Sequence, residues 1–136
     1  MSGLSFLDTN VLVYAYDSSE PRKQVVAQDL LRGAVVGESI ISTQVLAEFA
    51  ATFLHKAAKT RPPSEVKRLL DALAPIPVIA PDAGVVRRAV EAREAYGLHF
   101  YDGMIVAAAE RGRCERIFSE DLNAQQYFGI QVTNPF

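Results

Sequence analysis

Short apolar runs alternate along this chain with longer stretches of helical periodicity, and that alternation limits the fold more than any other feature. Leu4-Ser5-Phe6-Leu7 reads as a short buried strand, followed by a turn at Asp8-Thr9-Asn10 and a brief helix. Ser39-Ile40-Ile41-Ser42, Pro77-Val78-Ile79 and Arg116-Ile117-Phe118 read as three further strands, and Ile130-Gln131-Val132 as a fifth, at an edge. Ser19-Glu20-Pro21 opens a helix that ends near Gly33, with proline in the first turn, where its missing N–H costs nothing. From Thr43 to about Lys59 the residues Val45, Leu46, Phe49, Phe53 and Leu54 keep helical spacing. Arg61-Pro62-Pro63 stops this helix, and Ser64 caps the next, whose stripe is Val66, Leu69, Leu70 and Leu73. Asp82 caps a helix running to Gly97, and another follows Tyr101 with Ile105, Val106 and Ala109 on one face. Short strands separated by helices imply crossover units and a parallel sheet with helices on both faces.

The 136 residues suit one domain, 1–136, with one core, and no linker divides them. Apolar residues make up 49% and charged residues 22%, the balance of a globular chain and not of a disordered one. A net charge of −2 advertises no nucleic-acid partner, although an acidic metal site beside a basic groove would cancel in the sum. A single cysteine, Cys114, excludes an internal disulfide and a thiolate zinc site. Only His55 and His99 carry imidazole, which excludes a histidine-rich site. Met1-Ser2-Gly3-Leu4 has no basic leader, and no apolar run approaches the roughly 20 residues that span a bilayer. The expectation is a soluble cytoplasmic protein.

Most of the 16 acidic residues fall on polar stretches and need only solubility as a reason. Asp8 directly follows the apolar run Leu4 to Leu7, and Asp121 lies just past Ile117-Phe118; both leave a strand at its carboxyl end, where open parallel sheets bind ligands. Each alone fits a helix cap or turn equally well. Asp102 shares a helix face with Ile105, Val106 and Ala109, and a carboxylate aimed at a core must be paired, protonated or metal-bound unless it caps the helix. Glu48 borders the apolar stripe of its helix, and alone reads as a snorkelling side chain. Taken together, Asp8, Glu48, Asp102 and Asp121 can converge on one sheet edge, where their mutual repulsion calls for a hard divalent cation, Mg²⁺ or Mn²⁺. Carboxylate-rich sites of this kind serve phosphoryl chemistry. Asn10 and Ser119 are placed to support Asp8 and Asp121, or to make ordinary turns.

Three segments resemble the signature stretches of PIN-domain nucleases: Phe6-Leu7-Asp8-Thr9-Asn10-Val11-Leu12, Phe100-Tyr101-Asp102-Gly103-Met104-Ile105-Val106-Ala107-Ala108-Ala109 and Phe118-Ser119-Glu120-Asp121-Leu122. Within that family the chain is most similar to the VapC-like toxins of bacterial and archaeal toxin–antitoxin pairs, over essentially its whole length. The resemblance implies an α/β PIN-like (RNase H-like or FEN-like) domain, a short parallel sheet flanked by helices. It also implies a Mg²⁺- or Mn²⁺-dependent endoribonuclease that cleaves single-stranded RNA, or structured RNA, with Asp8, Glu48, Asp102 and Asp121 as catalytic and metal-binding acids. A cognate antitoxin that places an arginine in the acid pocket, and a homodimer, are implied as partners. Gly103 departs from the family, which more often has alanine there; in a helix it costs roughly 1 kcal/mol. Glu120 competes with Asp121 as the fourth acid, and the two-residue offset from Ser119 favours Asp121.

Other hydrolase classes fit less well. A haloacid-dehalogenase phosphatase needs an acid where Asn10 stands, and a receiver-type phosphoacceptor needs adjacent acids after its first strand. No phosphate loop and no nucleophile elbow is present. The remaining alternative is a PIN-like scaffold that binds RNA or protein without cutting. Lys56, Lys59, Arg61, Lys67, Arg68, Arg87 and Arg88 are candidate RNA contacts or plain solvated charge.

Overall fold

The two strand runs Ser5–Leu7 and Ser39–Ser42 are buried because helices close over both faces of the sheet at its centre. A computed structural model describes residues 3–136. The elements follow in the order β1 (Ser5–Leu7), α1 (Thr9–Ala15), α2 (Pro21–Val35), β2 (Ser39–Ser42), α3 (Thr43–His55), α4 (Pro63–Leu73), β3 (Val78–Ile79), α5 (Ala83–Tyr96), α6 (Phe100–Arg111), β4 (Arg116–Phe118), β5 (Gln126–Tyr127) and β6 (Ile130–Thr133). The sheet order is β3-β2-β1-β4-β6-β5, parallel throughout except for the β5–β6 pair. Every residue of β1 and β2 is buried, as strands covered on both faces must be. In β6 only Ile130 and Val132 are buried, so one face there meets solvent. Phe6, Leu7, Ile41, Val45, Phe49, Phe53, Val106 and Ile117 belong to one core cluster. Among the described residues, no helix is long and apolar enough to cross a membrane.

The chain winds outward from β1 through β2 to β3, then returns to the other side of β1 as β4. The order therefore reverses between β1 and β4, which opens a crevice at their carboxyl ends. Leu7 pairs with Phe118, so Asp8 and Ser119 leave adjacent strands side by side.

Several local expectations are corrected. No turn separates β1 from α1: the helix begins at Thr9, with Asp8 as its N-cap. The second helix runs through Gly33 to Val35, and the chain reverses at Gly37, whose φ is +91°. The third ends at His55 rather than near Lys59, because Lys59 swings to Asp17 and the Arg61 guanidinium donates to Tyr16 O. Ser64 caps nothing; Pro62 and Pro63 start α4, whose first turn has no side-chain cap. Likewise, α6 begins at Phe100, capped by His99 Nδ1, which accepts from Tyr101 N at 3.2 Å. Finally, β6 is not the edge. A hairpin through Phe128-Gly129, both at positive φ, folds β5 against its outer side.

Gly103 has a packing reason that outweighs its poor helix propensity. A Cβ there would lie 2.7 Å from the Ala89 carbonyl oxygen, a backbone atom of α5, so the glycine sets how closely α5 and α6 approach. Gly103→Ala is therefore expected to destabilise the fold, by about 1–3 kcal/mol from overpacking, although alanine is the better helix former. A denaturant midpoint at or above that of the unsubstituted protein would show that α5 yields freely.

Candidate active site

The crevice predicted by the sheet order is a cleft of about 700 Å³, lined by Asp8, Asn10, Glu48, Asp102 and Asp121 among others. Asp8 comes from the end of β1, Asp121 from the loop after β4, Glu48 from the second turn of α3 and Asp102 from the first turn of α6.

Asp8 is 6% exposed, and both of its oxygens are held. Oδ1 accepts from Thr9 N at 2.7 Å, and Oδ2 accepts from Ser119 Oγ at 2.8 Å. Burial pushes its carboxyl up to about 6; the Ser119 and Thr9 bonds oppose the rise, and the charges of Asp121 and Glu48 add to it. Ser119, itself fully buried, also accepts from Asp121 N and Leu122 N at 3.1 and 3.2 Å. The same hydroxyl thus shapes the turn and clamps Asp8. Asn10 bridges from α1 to the same loop: its Nδ2 donates to Asp121 Oδ2 at 3.3 Å, and its Oδ1 accepts from Glu120 N at 3.2 Å.

Glu48 is oriented by two groups that sequence reading passed over. Thr9 Oγ1 donates to its Oε1 at 2.7 Å, and Gln44 Nε2 donates to its Oε2 at 3.3 Å. Gln44, one turn before Glu48 on α3, could have been found from its i, i+4 spacing. Its Oε1 is buried without a partner among the described residues. Asp102 is half-buried. Burial raises its pKa most, His99 lowers it, and the charges of Asp121 and Glu48 raise it again. It is not the cap of its helix, since His99 fills that role.

Among the described residues, none of these four carboxylates has a lysine or arginine partner. Two other acids on the cleft wall do. Asp17 is bound by Lys59 Nζ at 2.5 Å, and that bond holds its carboxyl down near 2. Glu120 is bound by Lys23 and by Tyr14 OH, which hold its pKa below the usual range. The rival acid to Asp121 is therefore already neutralised. Of the basic residues named from sequence, Lys56 and Lys59 line the cleft, whereas Arg61 and Arg88 are committed to carboxylates elsewhere.

Among the described residues, no three His, Cys, Asp or Glu side chains stand close enough to hold one ion as they lie. The donor set nonetheless suits a hard divalent cation: it is all oxygen, without a lysine or arginine partner among the described residues, and burial, with the charges of the other acids adding to it, raises the pKa of Asp8 and of Asp102.

The Ser119 clamp carries a pH signature. The folded pKa of Asp8 lies above its unfolded value of about 3.9, so the folded state binds an extra proton between the two. Stability of the metal-free protein should therefore gain a contribution from this group as pH falls through about 6. Ser119→Ala removes one bond to the carboxylate and leaves two N–H groups short of an acceptor. It is expected to destabilise by about 1–3 kcal/mol at pH 7 and to move the Asp8 titration further upward. Carbon NMR of the Asp8 carboxyl and thermal melts measure both; an unmoved titration would mean that Ser119 does not govern this group.

Solved structures similar to this chain include a toxin–antitoxin complex from Klebsiella pneumoniae, at 23% identity and a TM-score of 0.70 over 97% of this chain and 98% of that one. VapBC2 from Rickettsia felis, bound to a DNA fragment from its promoter, gives 20% identity and a TM-score of 0.68, covering 96% and 98%. The Mycobacterium tuberculosis toxin VapC20, described as cleaving the Sarcin-Ricin loop, gives 17% and 0.65, covering 93% and 98%. At these identities the likeness is one of fold. Comparison with curated protein sequences gives no match. The PIN domain family model matches residues 5–128, nearly the whole α/β unit that carries the cleft, and the chain accordingly belongs to the PIN domain family.

Proposed function

We propose that this protein, acting as a single domain over residues 1–136, is a Mg²⁺- or Mn²⁺-dependent endoribonuclease and the toxin of a toxin–antitoxin pair. The observation that carries the reading is the set of four carboxylates, Asp8, Glu48, Asp102 and Asp121. They come from four separate elements to one cleft at the sheet's switch point, and none has a lysine or arginine partner among the described residues. Membership of the PIN family and the likeness to toxin structures support it.

In this reading the four acids hold the cation, which when bound supplies an activated water and neutralises charge on the scissile phosphate. The chain's own residues supply position. Ser119 and the Thr9 N–H fix the direction of Asp8. The Thr9 hydroxyl and Gln44 fix Glu48, and Asn10 steadies Asp121. Lys23 and Tyr14 keep Glu120 out of the donor set. The cleft wall being anionic, a cognate antitoxin is expected to place an arginine there, whose planar fork pairs with carboxylates bidentately. A cytoplasmic homodimer completes the reading, and light scattering that shows only a 14.9 kDa monomer at micromolar concentration would remove the dimer.

Hydrolysis of RNA should require Mg²⁺ or Mn²⁺, stop with chelator, and leave 5′-phosphate and 3′-hydroxyl ends. Cyclic 2′,3′-phosphate ends would overturn the mechanism. Asp102→Asn should abolish cleavage while leaving the metal-free protein as stable as before or more so, because burial and two neighbouring charges already disfavour the ionised carboxyl. The variant should also gain less stability from added Mg²⁺. A metal-free variant that melts well below the unsubstituted protein would make Asp102 structural. Intact cleavage by the variant would remove the acid site.

A further inference from the structure

Tyr101 precedes Asp102 in the first turn of α6, and 56% of it is exposed. Its backbone is fixed beside the cleft, one residue before Asp102, which lines the wall. The carbonyl accepts from Gln44 Nε2 at 3.0 Å, the same nitrogen that donates to Glu48. The amide donates to His99 Nδ1 at 3.2 Å. The His99 and Tyr101 rings lie 5.9 Å apart at 30°, and Phe100 meets Tyr101 edge-on at 5.2 Å. Among the described residues the Tyr101 hydroxyl makes no hydrogen bond, so the side chain is held by its backbone and by aromatic contacts alone.

The charge of the cleft makes this position matter. Carboxylates outnumber lysines on its wall, and of its two lysines Lys59 is tied to Asp17. A phosphate backbone entering here gains little from charge attraction beyond a bound cation. Uncharged contact with bases can supply grip that is indifferent to that field, because every base presents a π-face. We infer that Tyr101, backed by His99, is a stacking platform for one unpaired nucleobase beside the scissile phosphate of a single-stranded RNA. The inference rests on the ribonuclease reading above. A base still stacked in a duplex cannot reach such a platform, which agrees with the single-stranded RNA that the family resemblance implies.

The test uses a fluorescein-labelled oligouridylate of about ten nucleotides and a series with an abasic ribose at each position in turn, bound in Mg²⁺ to Asp102→Asn protein. Tyr101→Ala should weaken binding of the intact oligonucleotide about 5- to 150-fold, and Tyr101→Phe should bind as the parent does. At one abasic position the parent should lose affinity and the Tyr101→Ala protein should lose no more, since the contact is already gone. The chain has no tryptophan, so Tyr101→Trp gives a single fluorophore whose emission should be quenched on binding. Equal affinities for parent and Tyr101→Ala, or an affinity loss that no abasic position shares, would overturn the platform. If the unsubstituted protein cleaves this RNA in those cases, the ribonuclease reading survives. If it neither binds nor cleaves, both fall.

Discussion

The hydrogen bond from Ser119 Oγ to Asp8 Oδ2, 2.8 Å long and closed to solvent, joins the two strands on which the cleft is built. Its existence follows from the sheet. Pairing of Phe6 with Ile117 and of Leu7 with Phe118 leaves Asp8 and Ser119 as the first residues beyond each strand, at the reversal of strand order. A buried carboxylate there would be costly without donors. The Thr9 amide and the Ser119 hydroxyl are the two donors that keep it in place. The same hydroxyl then accepts from the amides of Asp121 and Leu122, so the position of the last acid depends on the first.

Charge is divided across the cleft in two ways. Asp17 and Glu120 each have a lysine partner, Lys59 and Lys23, drawn from the loop after α3 and from α2. Those pairs also fix structure: Lys59 ends α3 early, and Lys23 sits 4.8 Å from the centre of the Tyr14 ring. Asp8, Glu48 and Asp121 have only neutral partners, hydroxyls and amides, among the described residues. Burial raises the pKa values of Asp8 and Asp102, and the neighbouring carboxylate charges add to the rise. Had the paired acids been left free, the field would be less defined in position. Had the central acids been paired, a cation would have little to offset.

The parallel sheet was readable because its strands are short apolar runs bounded by helical periods, and Ser39–Ser42 and Arg116–Phe118 form strands over the residues expected. The approach of Asp8, Glu48 and Asp121 to one cleft was readable for the same reason, since Asp8 and Asp121 follow the carboxyl ends of strands and Glu48 lies on the helix that follows one. What sequence reading missed depends on distant partners. Ser64 looks like a cap, yet two prolines with preset φ start α4 before it. Thr9 was read as part of a turn, and its bond to Glu48, 39 residues away, is invisible to local pattern. Val45, Phe49 and Phe53 correctly marked the buried face of α3, but periodicity has no means of showing that Lys59 leaves the helix for Asp17.

Two breaches of local preference meet on α5, and together they explain how Asp102 comes to its depth. Gly103 weakens α6 by propensity, and Phe128 adopts φ +50°, a conformation that strains a bulky L-residue by roughly 1–3 kcal/mol. Both are answered by α5. The Ala89 carbonyl occupies the space a Cβ would take at 103. Arg88, the preceding residue, lays its guanidinium 3.5 Å from the centre of the Phe128 ring, and Tyr96 OH accepts from Phe128 N at 2.8 Å. Arg88 also binds Glu110 near the far end of α6 through two nitrogens. One helix thus fixes α6 at both ends of its length and holds the hairpin that covers the outer side of β6. Because Asp102 directly precedes Gly103, the close approach that the glycine permits also sets how far the carboxylate reaches into the cleft. The weak points of the local sequence are therefore the places where tertiary contact sets the geometry of the acids.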